Sequence, residues 1–234
     1  MENTLPRPKN NFTEIFESKA FWFIVVFTLF SLPLIMSFRK KAPENLPVLG
    51  QLSDFKLTNQ DGRQITLREF QGTVTVVNFI FTSCPDVCPL MTQQMAKIQE
   101  RLKGTAKSIQ LVSISVDPTH DTPEVLKAYG TKFHSDFKLW TFLTGPMPEI
   151  KKLVVDGFKT ALDGKPNPDP EDYSGLMDIT HSEYFVLVDQ ASQIRAYRTA
   201  KTEEDLNRIV RELAILVNTF PQKPATLPEA EKKS

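Results

Sequence analysis

Apolar and polar positions change period along this chain, from about two to about 3.6 and back, in a regular order. Residues 73–81 (TVTVVNFIF) form the most β-prone run and predict a buried strand; Met91, Met95, Ile98 and Leu102 then recur at helical spacing, predicting a helix from about Pro89 to Leu102 that ends at Gly104. Residues 109–116 alternate into a second buried strand. Thr122 as N-cap and Pro123 at the first helical position open a helix with Val125, Leu126, Tyr129 and Phe133 on its apolar face. Residues 139–143 read as a short strand, and Met147, Ile150, Leu153, Val154 and Phe158 mark another helix. Residues 183–189 and 194–198 predict a hairpin, and Leu206, Ile209, Val210, Leu213 and Leu216 a last amphipathic helix. Ahead of all these, residues 55–58 and 63–66 flank Asn59-Gln60-Asp61-Gly62, whose Asp-Gly suits the turn of a small antiparallel ribbon. The order, ribbon then β-α-β-α-β-α-β-β-α, implies an α/β domain with a central sheet and helices on both faces.

One apolar stretch follows neither period. Residues 20–38 (AFWFIVVFTLFSLPLIMSF) carry no charge and are apolar all round. As a helix they would span roughly 28 Å, close to the hydrocarbon core of a bilayer, and Lys19 and Arg39-Lys40-Lys41 bracket them. A single transmembrane helix is expected there. Glu2, Glu14 and Glu17 precede the run and no small-x-small site follows it, which argues against a cleaved signal peptide; with Arg7 as the only early arginine they also argue against a mitochondrial transit peptide. Three Lys/Arg lie ahead of the run (Arg7, Lys9, Lys19) and three directly after it, so charge does not orient the span.

Composition narrows the partners. Lys+Arg and Asp+Glu both number 28 and the pI is about 6.8, so no basic excess suggests nucleic acid, and that class is set aside. Residues 42–50, with Pro43 and Pro47, read as a tether. Residues 164–175 read as an exposed loop, and 221–234 as a polar tail too poor in apolar residues to pack.

The chemistry concentrates on the only two cysteines, Cys84 and Cys88, in Thr82-Ser83-Cys84-Pro85-Asp86-Val87-Cys88-Pro89. They sit on the turn from the most β-prone strand into a helix. Unpaired amide N–H groups and the helix dipole stabilise negative charge at such a turn, so the thiols should ionise more readily than free cysteine and serve as nucleophiles or metal ligands. Two close cysteines and no others suit a disulfide and a metal site alike. Met91 and Met95 share a helical face with Cys88 and read as core; His120 and His134 read as surface residues.

A Cys motif after the first long strand looks like a thioredoxin-like fold, and the wording of the motifs goes further. The cysteine segment, then Ser115-Val116-Asp117-Pro118 with Asp121, then Asp178-Ile179-Thr180-His181-Ser182, resembles the Sco/SenC family over roughly residues 46–217. Members are membrane-tethered, copper-binding proteins of cytochrome c oxidase assembly. The resemblance implies a thioredoxin-like α/β fold, a central mixed sheet flanked by helices with one N-terminal transmembrane helix. It implies copper, as Cu(I) and also Cu(II), held by Cys84, Cys88 and His181. The implied partners are the copper-bearing subunit of the oxidase and other copper chaperones. It also implies a single-pass protein of the bacterial plasma (inner) membrane with the C-terminal domain on the periplasmic side.

The chemistry of that implied set is consistent. Two thiolates and one imidazole form a soft, low-coordinate set suited to Cu(I), whereas zinc usually takes four ligands and an iron–sulfur cluster four cysteines. The expected division is a cytoplasmic segment at 1–19, the transmembrane helix at 20–38, a tether at 39–51, a thioredoxin-like copper-binding domain at 52–220 and a flexible tail at 221–234. The expected function is a metallochaperone delivering copper to the dinuclear site of the oxidase, a binding role more than an enzymatic one. The alternative is a thiol-disulfide oxidoreductase that reduces the oxidase's copper-site cysteines, with Cys84 attacking and Cys88 resolving. Thioredoxin-like oxidoreductases set a cis-proline opposite their Cys pair, and no proline lies between Pro170 and Pro221.

Overall fold

The computed structural model describes residues 45–104, 108–159 and 183–219, together with Lys19, Trp22, Phe23, Val26 and Phe27. The chain divides into two compact units, Met1–Glu44 and Asn45–Ser234. In the first, the five described residues are helical. Among the described residues no helix is long and apolar enough to cross a membrane, and most of the span expected at 20–38 lies outside them. The loop at 164–175, the tail at 221–234 and His181 also lie outside the described residues.

The second unit is a mixed α/β fold on one eight-stranded sheet. The strands are β1 (Gly50–Gln51), β2 (Lys56–Asn59), β3 (Gln64–Thr66), β4 (Val74–Ile80), β5 (Ile109–Ser115), β6 (Trp140–Thr144), β7 (Phe185–Val188) and β8 (Gln193–Arg198). Their order across the sheet is β1-β8-β7-β4-β5-β6-β2-β3. The helices are α1 (Val87–Leu102), α2 (Pro123–Lys132), α3 (Met147–Lys151, running on as a π-helical segment, Lys152–Lys159) and α4 (Glu203–Thr219). β4 lies at the centre, parallel to β5 and antiparallel to β7. All seven of its residues are buried, because helices cover both faces of the sheet.

The alternation within β4 sorts the core. Val74, Val76 and Ile80 point to one face, packing with Met91, Met95, Ile98 and Leu102 of α1 and with Leu206, Ile209, Leu213 and Leu216 of α4. Val77 and Phe79 point to the other, against Ile150, Leu153, Val154 and Phe158 of α3 and its extension. Each of these side chains contributes about 1.5–3 kcal/mol by leaving water, so the two faces fix the plane and the register of β4, and hence where its C-terminal end emerges.

The ribbon, the helix caps and the terminal hairpin follow the sequence pattern. Gly62, at φ 76°, closes the β2–β3 turn, and the Thr122 hydroxyl accepts from the Val125 amide at the head of α2. The packed unit begins earlier than the expected tether at 39–51 allows. Gly50 and Gln51 pair with Ile194 and Gln193 as β1, and the buried Arg195 donates from Nε to the carbonyls of Leu46 (3.0 Å) and Pro47 (3.1 Å). A two-residue strand carries no readable period, and its partner lies more than 140 positions away.

Candidate functional site

β4 ends at Ile80, and residues 81–86 carry the chain from the sheet into α1. Pro85 restricts the turn, and Pro89 sits in the first turn of α1, where a missing N–H costs the helix nothing. The N-cap, Asp86, makes no side-chain hydrogen bond to the helix, and its side chain is exposed. The first amides of α1 therefore need another acceptor. Burial opposes ionisation of the Cys84 thiol, but the nearby backbone amides of Cys88, Asp86 and Val87 and the Cys88 thiol outweigh it and hold its pKa below the ordinary value. The Cys84 amide itself donates to the Phe81 carbonyl at 3.1 Å.

Cys88 behaves oppositely. It lies in the first turn of α1, only 2% exposed, and burial pushes its thiol up to about 12, with the backbone of Phe81 opposing and the neighbouring Cys84 and Asp121 charges adding to the rise. Both cysteines are free thiols. The turn thus presents one partly exposed, readily ionised thiol backed by a buried, protonated one.

Two polar groups brace this turn. Asp121, fully buried, accepts from the Thr82 amide at 3.1 Å, from the Thr82 hydroxyl at 2.5 Å and from the Ser115 hydroxyl at 2.5 Å. It ties the ends of β4 and β5 together just below the cysteines. On the helix side, the Thr92 hydroxyl donates to the Cys88 carbonyl at 2.7 Å and contacts the Tyr129 hydroxyl of α2 at 2.9 Å.

The other residues singled out in the sequence separate cleanly. Met91 and Met95 are buried in the core beneath α1, at 8% and 0% exposure. His134 is exposed, and so is His120, whose Nδ1 lies 2.8 Å from Asp117 Oδ2. Glu183, two residues after His181, lines a cavity of about 320 Å³ together with Val87, Leu90, Met91 and Gln94 from the start of α1. The β4–β7 register agrees: Val77 faces Val186, so the chain enters β7 at the end of the sheet where β4 leaves for the cysteine turn. Two larger clefts, of about 550 and 650 Å³, lie around the β2–β3 ribbon and contain neither cysteine. Among the described residues no group of three or more His, Cys, Asp or Glu side chains is arranged to hold a metal ion.

The SCO1/SenC family profile matches residues 49–218 of the chain, which takes in the whole sheet from β1 to β8 and the cysteine turn. This chain belongs to the SCO1/SenC family. The SCO1 protein homolog of Bacillus subtilis (strain 168) is 34% identical to it over 143 residues, 61% of this chain and 70% of the relative. The crystal structure of a SCO1/SenC family lipoprotein from Bacillus anthracis is 34% identical, with a TM-score of 0.59 over 75% of this chain and 98% of its own. BsSco, a member of the Sco family of cytochrome c oxidase assembly proteins in which a disulfide switch was identified, is 26% identical, with a TM-score of 0.58 over 77% of this chain and 98% of its own. Copper-bound yeast Sco1 shares the fold at 24% identity, with a TM-score of 0.55 over 78% of this chain and 96% of its own.

The SCO1/SenC motifs were legible as sequence, but the bracing groups were not. Asp121 belongs to the family's second motif, but its link to Thr82 joins residues 39 positions apart and has no local pattern. Thr92 and Tyr129 carried no signal beyond helical spacing.

Proposed function

We propose that this SCO1/SenC chain is a membrane-anchored copper metallochaperone that holds copper through Cys84, Cys88 and His181 and delivers it to the dinuclear copper site of cytochrome c oxidase. The observation that carries this reading is the cysteine turn. A partly exposed, readily ionised thiol and a buried thiol four residues later form a soft donor pair that fits Cu(I), the cargo. Ligands must be deprotonated to bind, so copper entry displaces the proton from Cys88 and affinity rises with pH. The pair supplies two bonds, and a single imidazole completes a low-coordinate site. The entry of β7 beside the cysteine turn supports His181 in that role, since His181 precedes Glu183 by two residues.

The apolar run at 20–38 anchors the chain as one transmembrane helix, with residues 1–19 cytoplasmic and the copper-binding domain on the periplasmic side of the bacterial plasma membrane. Family membership supports that orientation where the balanced flanking charges give no vote. The copper-bearing subunit of the oxidase is the partner that receives the metal, and other copper chaperones are the partners that supply it.

The test is metal transfer. Reduced full chain in detergent, loaded with one equivalent of Cu(I), should pass it to the apo copper-site domain of an oxidase subunit, and Cys84→Ser should neither load nor transfer. A parent chain that loads no copper, or loads it and retains it against that acceptor, would contradict the chaperone reading.

A further inference from the structure

The cavity of about 550 Å³ lies between the β2–β3 ribbon and the start of β5 and β6. Gln110, which lines it from β5, pairs with Thr75 near the opening of β4, whereas the cysteine turn follows the Ile80–Ser115 pair at the other end of the same ladder. Five residues of strand set the two places about 17 Å apart. The floor of the cavity is apolar, made by the buried Ile65, Phe70, Val112 and Leu143.

Its polar wall begins with Asn59, which is only 6% exposed. Asn59 Oδ1 accepts from the amides of Asp61 (3.0 Å) and Arg63 (2.8 Å) across the Asp-Gly turn. These two donors fix the side-chain amide, because the flipped form would set its NH2 against both N–H groups. Nδ2 is thereby left as a donor with no partner among the described residues. Arg63 and Lys138 are exposed in the same wall and form no ion pair among the described residues. The carboxylates beside them are engaged elsewhere. Asp61 holds Lys127 Nζ at 2.9 Å and Gln60 Nε2 at 3.0 Å, and Glu69 Oε2 accepts from the amide and the hydroxyl of Thr66, both at 2.8 Å.

We propose that this cavity binds a small organic monocarboxylate with an apolar body: the carboxylate accepts from Asn59 Nδ2, Arg63 and Lys138, and the body lies on Ile65, Phe70, Val112 and Leu143. Three donors without an acceptor, two of them cationic, call for an anion. The apolar floor calls for a ligand that brings more than charge. Asp61 and Glu69 repel a second negative group, which selects a monocarboxylate over a dicarboxylate. The site holds neither cysteine, so copper and the carboxylate share no ligand.

The experiment is a chemical-shift titration of the 15N-labelled, reduced full chain in detergent micelles with 3-phenylpropionate as the probe. The Asn59 side-chain NH2 and the Gln110 amide should shift with a dissociation constant of about 1 mM, ordinary for about eleven non-hydrogen atoms. In the same micelles 3-phenylpropanol, which lacks the charge, and inorganic phosphate, which lacks the body, should each bind about tenfold more weakly or worse. The double variant Arg63→Gln with Lys138→Gln should weaken the probe about tenfold. Asn59→Asp keeps the acceptor of the turn but sets a negative charge where the free donor stood, and should abolish binding. Arg68→Gln, which removes an exposed cation outside the cavity, should match the parent. If a thermal melt shows Asn59→Asp unfolded, the double variant decides, since both of its positions are exposed. No shift of those signals at about tenfold the expected constant, equal binding of the alcohol or of phosphate, or parental binding in the double variant or in folded Asn59→Asp would each overturn the proposal. So would a loss in Arg68→Gln equal to that in the double variant.

Discussion

Tyr129 of α2 donates its hydroxyl hydrogen to Thr92 Oγ1 of α1 at 2.9 Å, because the single Thr92 hydroxyl hydrogen is already given to the Cys88 carbonyl at 2.7 Å. Two hydrogen bonds in series thereby tie the first turn of α1 to a neighbouring helix. Burial, above all, raises the Tyr129 hydroxyl from an ordinary 10.0 to about 12, in parallel with the rise of Cys88 from 9.0 to about 12. Both groups are therefore held protonated in the folded chain over a range where the unfolded chain has released them.

The sign for stability follows. Between about pH 9 and 12 the native state binds more protons than the unfolded state, so stability is unaffected by these two groups below pH 9 and falls as pH rises through that window. Tyr129→Phe should cost about 1 kcal/mol at pH 7 through the lost hydrogen bond and should flatten the decline above pH 10 while leaving the earlier part due to Cys88. Urea unfolding at a series of pH values measures this. A variant whose stability falls as steeply as the parent's from pH 10 upward would contradict it.

The two thiols should differ in reactivity as they do in environment. At pH 7, iodoacetamide should modify Cys84 of the native, reduced chain faster than it modifies a free cysteine in an unstructured peptide. Cys88, 2% exposed and with its thiol near 12, should stay unmodified until the chain is unfolded. Peptide mapping after timed quenching separates the two, and equal labelling would show that the turn is not built as described.

Much of the fold was legible because the relevant signals are local. The apolar run ending at Phe81, the spacing of Met91, Met95, Ile98 and Leu102, and the Thr122–Pro123 start each depend on residues within a few positions of one another, and β4, α1 and α2 appear where those patterns put them. What stayed hidden depends on distant partners. β1 is two residues long and exists because β8 offers it an edge; the π-helical widening at residues 152–159 has no signature in a pattern that reads equally well as α-helix. The cysteines were visible as a motif, but their inequality was not. It arises from burial, which leaves Cys84 partly exposed beside the backbone amides at the start of α1 and closes the sheet and α1 over Cys88, a difference that spacing alone does not reveal.

The β1 edge and the carbonyls of Leu46 and Pro47 that precede it are held from β8. Arg195, 7% exposed, pairs with the fully buried Asp189 at 2.6 Å and holds the carbonyls of Leu46 and Pro47. Arg195→Met should cost about 3–5 kcal/mol, because it leaves the Asp189 carboxylate buried with only the amides of Ala191 and Gln193. It should also open residues 45–51 to limited proteolysis under conditions where the parent resists. An unfolding free energy within a few tenths of a kcal/mol of the parent's, from denaturant titration, would show that the ion pair does not anchor this segment.

The copper assignment rests on three atoms, and X-ray absorption at the copper edge of the Cu(I)-loaded, reduced full chain addresses all of them in one measurement. The parent should show two sulfur scatterers and one nitrogen per copper at one equivalent, and His181→Ala should lose the nitrogen while keeping both sulfurs, with Cys84 and Cys88 still able to form their disulfide. A parent site with one sulfur or with no nitrogen, or a His181→Ala spectrum indistinguishable from the parent's, would contradict the site; His181→Ala that keeps its copper shell but loses its dithiol exchange would favour the oxidoreductase alternative.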